Sequence, residues 1–172
     1  MRLTRLDQMP CSIARTLDTV GEWWTMLIVR DAAVGITRFE DFHRRLGIAR
    51  TVLAARLDRL VESGILERRP YQDHPPRSEY VLTERGRDLT PVLVSLMQWG
   101  DKWAAHEDGP PVELVHRTCG QVMSPHYHCD QCGEVVGPAD FGPRPSSSSP
   151  HCSPPTPGAC VERVRATGES RE

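Results

Sequence analysis

Two short runs in the last third of the chain carry metal-ligand chemistry. His116-Arg117-Thr118-Cys119-Gly120 and Cys129-Asp130-Gln131-Cys132-Gly133 form an HxxCG…CxxCG pair, with nine residues between Cys119 and Cys129. Zinc takes four tetrahedral nitrogen or sulfur ligands, and two ligands three residues apart can grip it from one turn. The glycine after the second ligand of each run suits a turn whose backbone amides face the sulfur. These residues predict Zn2+ held by His116, Cys119, Cys129 and Cys132. Four protein ligands leave no open position, so the predicted role is structural. His126 and His128 are alternatives to His116 as the fourth ligand. A redox CxxC is the rival assignment, but no βαβ pattern surrounds it.

A second cluster points to nucleic acid. Five arginines (Arg44, Arg45, Arg50, Arg56, Arg59) stand against one acid, Asp58, between positions 44 and 59. A local patch of this kind can bind phosphates while the chain as a whole stays near neutral, here at a net charge of −2. The bland alternative is a solvated helix face.

The elements that must position these groups follow from apolar spacing and glycine punctuation. Ser12 can cap a helix through Val20, which Gly21 breaks, and a second helix runs from Glu22 to Ala33. Thr37-Arg38-Phe39-Glu40 reads as a capping box opening a helix from Phe39 to Leu46. After Gly47, a helix from Arg50 to Ser63 carries the stripe Leu53, Leu57, Leu60 and Val61, and Gly64 ends it. Two helices of these lengths joined by a tight glycine turn are a helix-turn-helix signal. Strands over Ile65–Tyr71 and Arg77–Thr83 flank a proline-bearing tip and form a wing. Thr83 caps a long helix to His106 with the apolar face Leu89, Val92, Leu93, Leu96, Met97, Gly100 and Trp103, and Pro91 either kinks it or marks its true start. A face this apolar at the end of a small domain predicts a homodimer contact, with packing onto its own domain as the alternative.

Placing the leucine stripe of the 50–62 helix inward turns Thr51, Ala55 and Arg59 outward, with Arg56 on the flank. Arg50 and Thr51 are expected near base edges, with Arg56 and Arg59 divided between bases and phosphates. The alternative for Arg56 is a pair with an acid on a neighbouring turn. Arg38, Arg44 and Arg45 would serve phosphates, and Arg77 beside the wing tip the backbone or a minor groove.

No run of 18 apolar residues occurs, and the polar start lacks a signal-peptide core, so neither a membrane span nor export is expected. A cytoplasmic location makes the six cysteines thiols or metal ligands rather than structural disulfides. No phosphate loop, HExxH or ordered Ser/His/Asp set is present, which argues against an enzyme.

The segments CSIARTLDTVGEWWTMLIVRD (11–31), TRFEDFHRRLGIARTVLAARLDRLVESGILERRPY (37–71) and PPRSEYVLTERGRDLTPVLVSLMQWG (75–100) resemble the HxlR-type winged helix regulators, relatives of the MarR group. The resemblance implies a homodimer on terminal helices that binds a pseudo-palindromic operator as repressor or activator. It also implies an alternative mode, in which Cys11 matches a cysteine that some members use to sense oxidants or electrophiles. Ala49 stands where the family often has serine at the cap of the recognition helix, and Glu22 where it often has lysine. The expected fold class is therefore mainly α with a small β-hairpin. It comprises a winged helix-turn-helix domain over 11–109, a zinc-ribbon-like β appendage over 112–136 and a disordered tail over 137–172.

Overall fold

The computed structural model describes residues 6–9, 11–104 and 109–142. The chain divides into two compact units between Pro111 and Val112.

The first unit begins with a single 3-10 turn, Leu6–Gln8, followed by four helices: α1 (Ser12–Val20), α2 (Trp23–Ala33), α3 (Phe39–Leu46) and α4 (Arg50–Glu62). A hairpin of β1 (Leu66–Gln72) and β2 (Arg77–Leu82) follows, then α5 (Glu84–Arg87) and α6 (Thr90–Trp103). The core gathers Val20 from α1, Ile28 and Val29 from α2, Phe42 from α3, and Leu53, Leu57 and Leu60 from α4. Ile65, Leu66, Tyr80 and Leu82 from the hairpin close it. The expected leucine stripe of α4 is thus the buried one, and Val61 packs half-buried at its edge.

The turn between α3 and α4 has an unambiguous cause. Gly47 adopts φ 65°, ψ 15°, the left-handed region that side chains disfavour. Its N–H closes on the His43 carbonyl, and His43 Nδ1 donates to the Ile48 carbonyl at 2.8 Å. A Cβ at Gly47 would meet no atom within 4 Å, so a substitution there costs backbone strain alone. Gly47→Ala is expected to destabilise this unit by about 1–2 kcal/mol, read as a lower urea midpoint with an unchanged slope.

Three local expectations differ from the structure. Ser12 is the first residue of α1 and not its cap; Cys11 is the N-cap and makes no side-chain cap hydrogen bond. The Thr37–Glu40 capping box does not form. Arg38 is the N-cap of α3 and makes no side-chain cap hydrogen bond. Thr37 and Arg38 are instead extended along β2: the Thr37 carbonyl accepts from Tyr80 N–H at 2.7 Å, and Arg38 bridges Glu79. The helix expected from Thr83 to His106 is two helices. Thr83 does cap the first, accepting from Gly86 N–H at 3.1 Å. Pro91 then marks the start of the second, where its missing N–H costs nothing. Residues 105 and 106 lie outside the described residues. Gly86 is buried, and a Cβ there would run into the Ile65 carbonyl and the Leu82 side chain, so only glycine lets α5 close against the hairpin.

The wing pairs Leu66 with Leu82 through Pro70 with Ser78, and the register shifts between Pro70 and Gln72. Pro70 has no N–H to give the ladder, which explains the irregularity there.

The second unit contains β3 (Tyr127–His128) paired antiparallel with β4 (Val135–Val136), and an isolated bridge from Val115 to Val122. None of its described residues is buried. Residues 137–142 of the expected tail are described; residues 143–172 are not, and Cys152 and Cys160 fall among them. Among the described residues no helix is long and apolar enough to cross a membrane.

Candidate nucleic-acid interface

Helix α4 presents two unlike halves. Its first two turns expose Arg50, Thr51, Val52 and Ala55 and contain no acid. Its later turns expose Asp58, Arg59 and Glu62. The exposed N-terminal half also carries the positive end of the helix dipole. A polyanion is therefore attracted more to the start of the helix than to its end, where the acids offset Arg59. Ala49 is the N-cap and makes no side-chain cap, which leaves first-turn amides available to an acceptor from outside.

The predicted arginines occupy distinct environments. Arg44, on the last turn of α3, is 77% exposed and pairs with Asp41 one turn earlier at 3.0 Å. Arg50 forms a two-pronged pair with Glu40 at 2.6 and 2.8 Å, and its guanidinium lies 4.9 Å from the centroid of the Phe39 ring. The hydrogen bonds from Arg50 hold the Glu40 carboxyl below the usual carboxylate range. Both side chains are exposed, so the pair is screened by solvent and can be exchanged for a phosphate. Arg38 stacks on Tyr71, 5.1 Å from its centroid, which ties the N-terminus of α3 to the wing. Thr51 and Arg77 are exposed, at the start of α4 and the base of the wing tip respectively.

Other arginines are tied to groups of their own domain while staying partly exposed. Arg45 reaches the fully buried Asp31 at 3.3 Å, and Arg30 reaches the same carboxylate at 2.9 Å. Asp31 thus has two cationic partners, as a buried carboxylate needs. Arg56 pairs with Glu22 at 2.8 Å, and its side chain is only 25% exposed. Arg59 donates to the Asp18 carbonyl at 2.6 Å. Arg56 and Arg59 therefore strap α4 to the N-terminus of α2 and the end of α1. The acid that partners Arg56 is the same Glu22 that departs from the HxlR-type pattern.

Cys11 is exposed and is the N-cap residue of α1, making no side-chain cap. In the second unit the two predicted ligand runs form matching turns. His116 and Cys119 approach to 3.2 Å, Nδ1 to Sγ. Cys129 accepts from the backbone N–H groups of Cys132 and Gln131 and from the Cys132 thiol, which holds its own thiol below the ordinary cysteine value. His126 and His128 are both exposed, and His128 Nδ1 faces the Gly133 carbonyl at 3.2 Å.

Residues 19–108 match the model of a family described as HxlR-like helix-turn-helix. The chain belongs to that family. One relative is the uncharacterized HTH-type transcriptional regulator Rv3095 of Mycobacterium tuberculosis. It is 47% identical over 134 residues, which is 78% of this chain and 85% of its own length. That alignment is longer than the family domain, so the likeness runs beyond it. Among solved structures, PA1607, described as a candidate transcription factor, superposes with a TM-score of 0.73 at 40% identity, covering 84% of this chain and 99% of its own. PA1374 from Pseudomonas aeruginosa, described in the same way, gives 0.61 at 40% identity over 82% of this chain and 96% of its own. This HxlR-like protein is a transcriptional regulator of the helix-turn-helix type.

The wing of the HxlR-like domain adds residues that sequence inspection passed over. Arg68 and Arg69 are exposed on β1; Arg68 lies over the Tyr80 ring and Arg69 pairs with Glu67 at 2.5 Å. The signal was the run Arg68-Arg69-Pro70-Tyr71, which breaks the alternation expected of a half-buried strand.

Proposed function

We propose that the protein binds a pseudo-palindromic operator as a homodimer, with the first two turns of α4 in the major groove. The observation that carries this is the exposed, acid-free start of α4, flanked by exposed Arg44 on α3 and Arg77 on the wing. Thr51 and Ala55 are small enough to let the helix axis approach base edges. Arg50 can leave Glu40 for a phosphate or a guanine edge. Arg44 and Arg77 contact phosphates on either side and fix the register.

Dimerisation rests on α6. It places Val92, Leu96, Trp99 and Trp103 on one exposed seam, and none of its 14 residues is buried. That spacing alternates four and three residues, the spacing of helices that pack along a shared seam. Leu89 and Leu93 turn the other way, onto the core of their own domain. The sequence expectation of one face is thus two faces, one packed at home and one left for a second copy. A dimer would then set two α4 helices about 34–36 Å apart, one turn of duplex.

A shift assay on the promoter beside the protein's own gene, at stepped salt, tests the DNA contacts. Arg44→Ala and Arg77→Ala should each weaken binding across sequences and reduce the salt slope by about one. Binding by both folded variants with unchanged affinity and slope would remove these residues from the interface.

A further inference from the structure

The described residues of the second unit, 112–142, form no hydrophobic core. Of its described residues from 112 to 142 none is buried, and Val112, Val115, Val122, Met123, Tyr127, Val135 and Phe141 are exposed. Modules below about 70–80 residues often need a disulfide, a metal or a partner for stability. Its own backbone shows where such a staple belongs.

The unit is a structural repeat with an offset of 13 residues. His116 N–H donates to the Gln121 carbonyl and Gly120 N–H to the His116 carbonyl, at 2.9 and 2.8 Å. Cys129 N–H donates to the Glu134 carbonyl and Gly133 N–H to the Cys129 carbonyl, also at 2.9 and 2.8 Å. Gly120 and Gly133 take φ 71° and 74°. The bridge Val115–Val122 in the first turn corresponds to His128–Val135 in the second. Each turn sets two candidate ligands three residues apart, with His116 Nδ1 and Cys119 Sγ at 3.2 Å in the first.

The repeat also decides among the histidines. His116 occupies the position of Cys129. His128 occupies that of Val115, a paired strand position whose side chain points to the face opposite its neighbour Cys129. His126 precedes the strand and corresponds to Glu113. The side chains stand as two pairs; among the described residues no three His, Cys, Asp or Glu are close enough to hold an ion as they stand. Each pair alone offers half of a tetrahedral set.

We infer that His116, Cys119, Cys129 and Cys132 together bind one zinc ion, which draws the two turns together and supplies the fold of the second unit in place of a core. Three thiols bind as thiolates, so zinc uptake releases their protons to solvent.

The full-length protein, incubated with zinc and desalted, is expected to retain about one zinc per chain. With cobalt in its place it should give the absorption bands of a tetrahedral thiolate site. His116→Ala should weaken metal binding by more than about 100-fold, since even a partner hydrogen-bonded to a ligand is worth roughly 10–100-fold. His116→Cys should keep the metal and shift the cobalt bands, which separates loss of a ligand from loss of the turn. His126→Ala and His128→Ala should bind as the parent does. Less than about half an equivalent of zinc with no tetrahedral cobalt spectrum would overturn the site. Loss of metal in His128→Ala with retention in His116→Ala would overturn the ligand set.

Discussion

Replacing Leu96 and Trp99 with aspartate is expected to make the protein monomeric and to weaken operator binding by about 100-fold or more. Leu96 and Trp99 are 55% and 64% exposed, so the double variant removes nothing from the core of its own domain. Two carboxylates on each copy would instead be buried against two more, and unpaired buried charges are costly. The loss at the operator follows from linkage. In a dimer, once one α4 is bound, the second is held at high local concentration beside its half-site. A monomer binds each half-site alone. Sedimentation gives the mass, and a shift assay on full and half operators gives the affinities. The variant should bind both DNAs equally, whereas the parent should prefer the full site. A monomeric parent, or a double variant that remains dimeric, would show that the exposed α6 seam is not the contact.

The second large effect is on stability. Phe42→Ala is expected to cost about 3–5 kcal/mol, out of the roughly 5–15 kcal/mol that holds a typical domain. Phe42 is fully buried and is the largest such side chain, set among residues from α2, α4 and the hairpin. It is the fully buried anchor of α3, with Phe39 and Leu46 packed half-buried beside it. Its loss leaves a cavity under the turn at Gly47, so α3 and α4 should lose their relative placement before the helices melt. Urea unfolding at fixed protein concentration measures this, because a dimer's midpoint depends on concentration. Operator binding should fall well before half the helical signal is lost. A loss below about 1 kcal/mol would place the core elsewhere.

The residues explain what could be read in advance. Gly47 and Gly64 stop helices in the left-handed backbone region that favours glycine, and the stripe Leu53, Leu57, Leu60 identifies the inner face of α4. Such signals are local, and the helix boundaries they imply agree with the structure to within a residue or two. Apart from the cap at Ser12, the failures are non-local. The Thr37–Glu40 box looks like a cap, but β2 takes the Thr37 carbonyl and Arg50 takes the Glu40 carboxylate. Helical spacing shows that Arg56 flanks the stripe and that Arg59 turns away from it. It cannot show that Glu22 and the Asp18 carbonyl lie across from them, 34 and 41 residues earlier. The same holds for Arg45, whose partner Asp31 is buried from another helix. Of the candidate DNA residues, Arg44, Arg50, Thr51 and Arg77 are exposed, whereas the intramolecular partners of Arg45, Arg56 and Arg59 lie too far away in sequence to be read from it. The division of α6 into a home face and an open face needed the packed domain.

The claim that matters most is that the start of α4 reads the major groove, one copy per half-site. Methylation interference on the operator tests it directly, because guanine N7 lies in the major groove and adenine N3 in the minor. The predicted result is interference by N7 methylation in two clusters about one helical turn apart, with adenine N3 effects confined to the flanks near the wing. Interference restricted to adenine N3, or a single N7 cluster for the intact dimer, would contradict it.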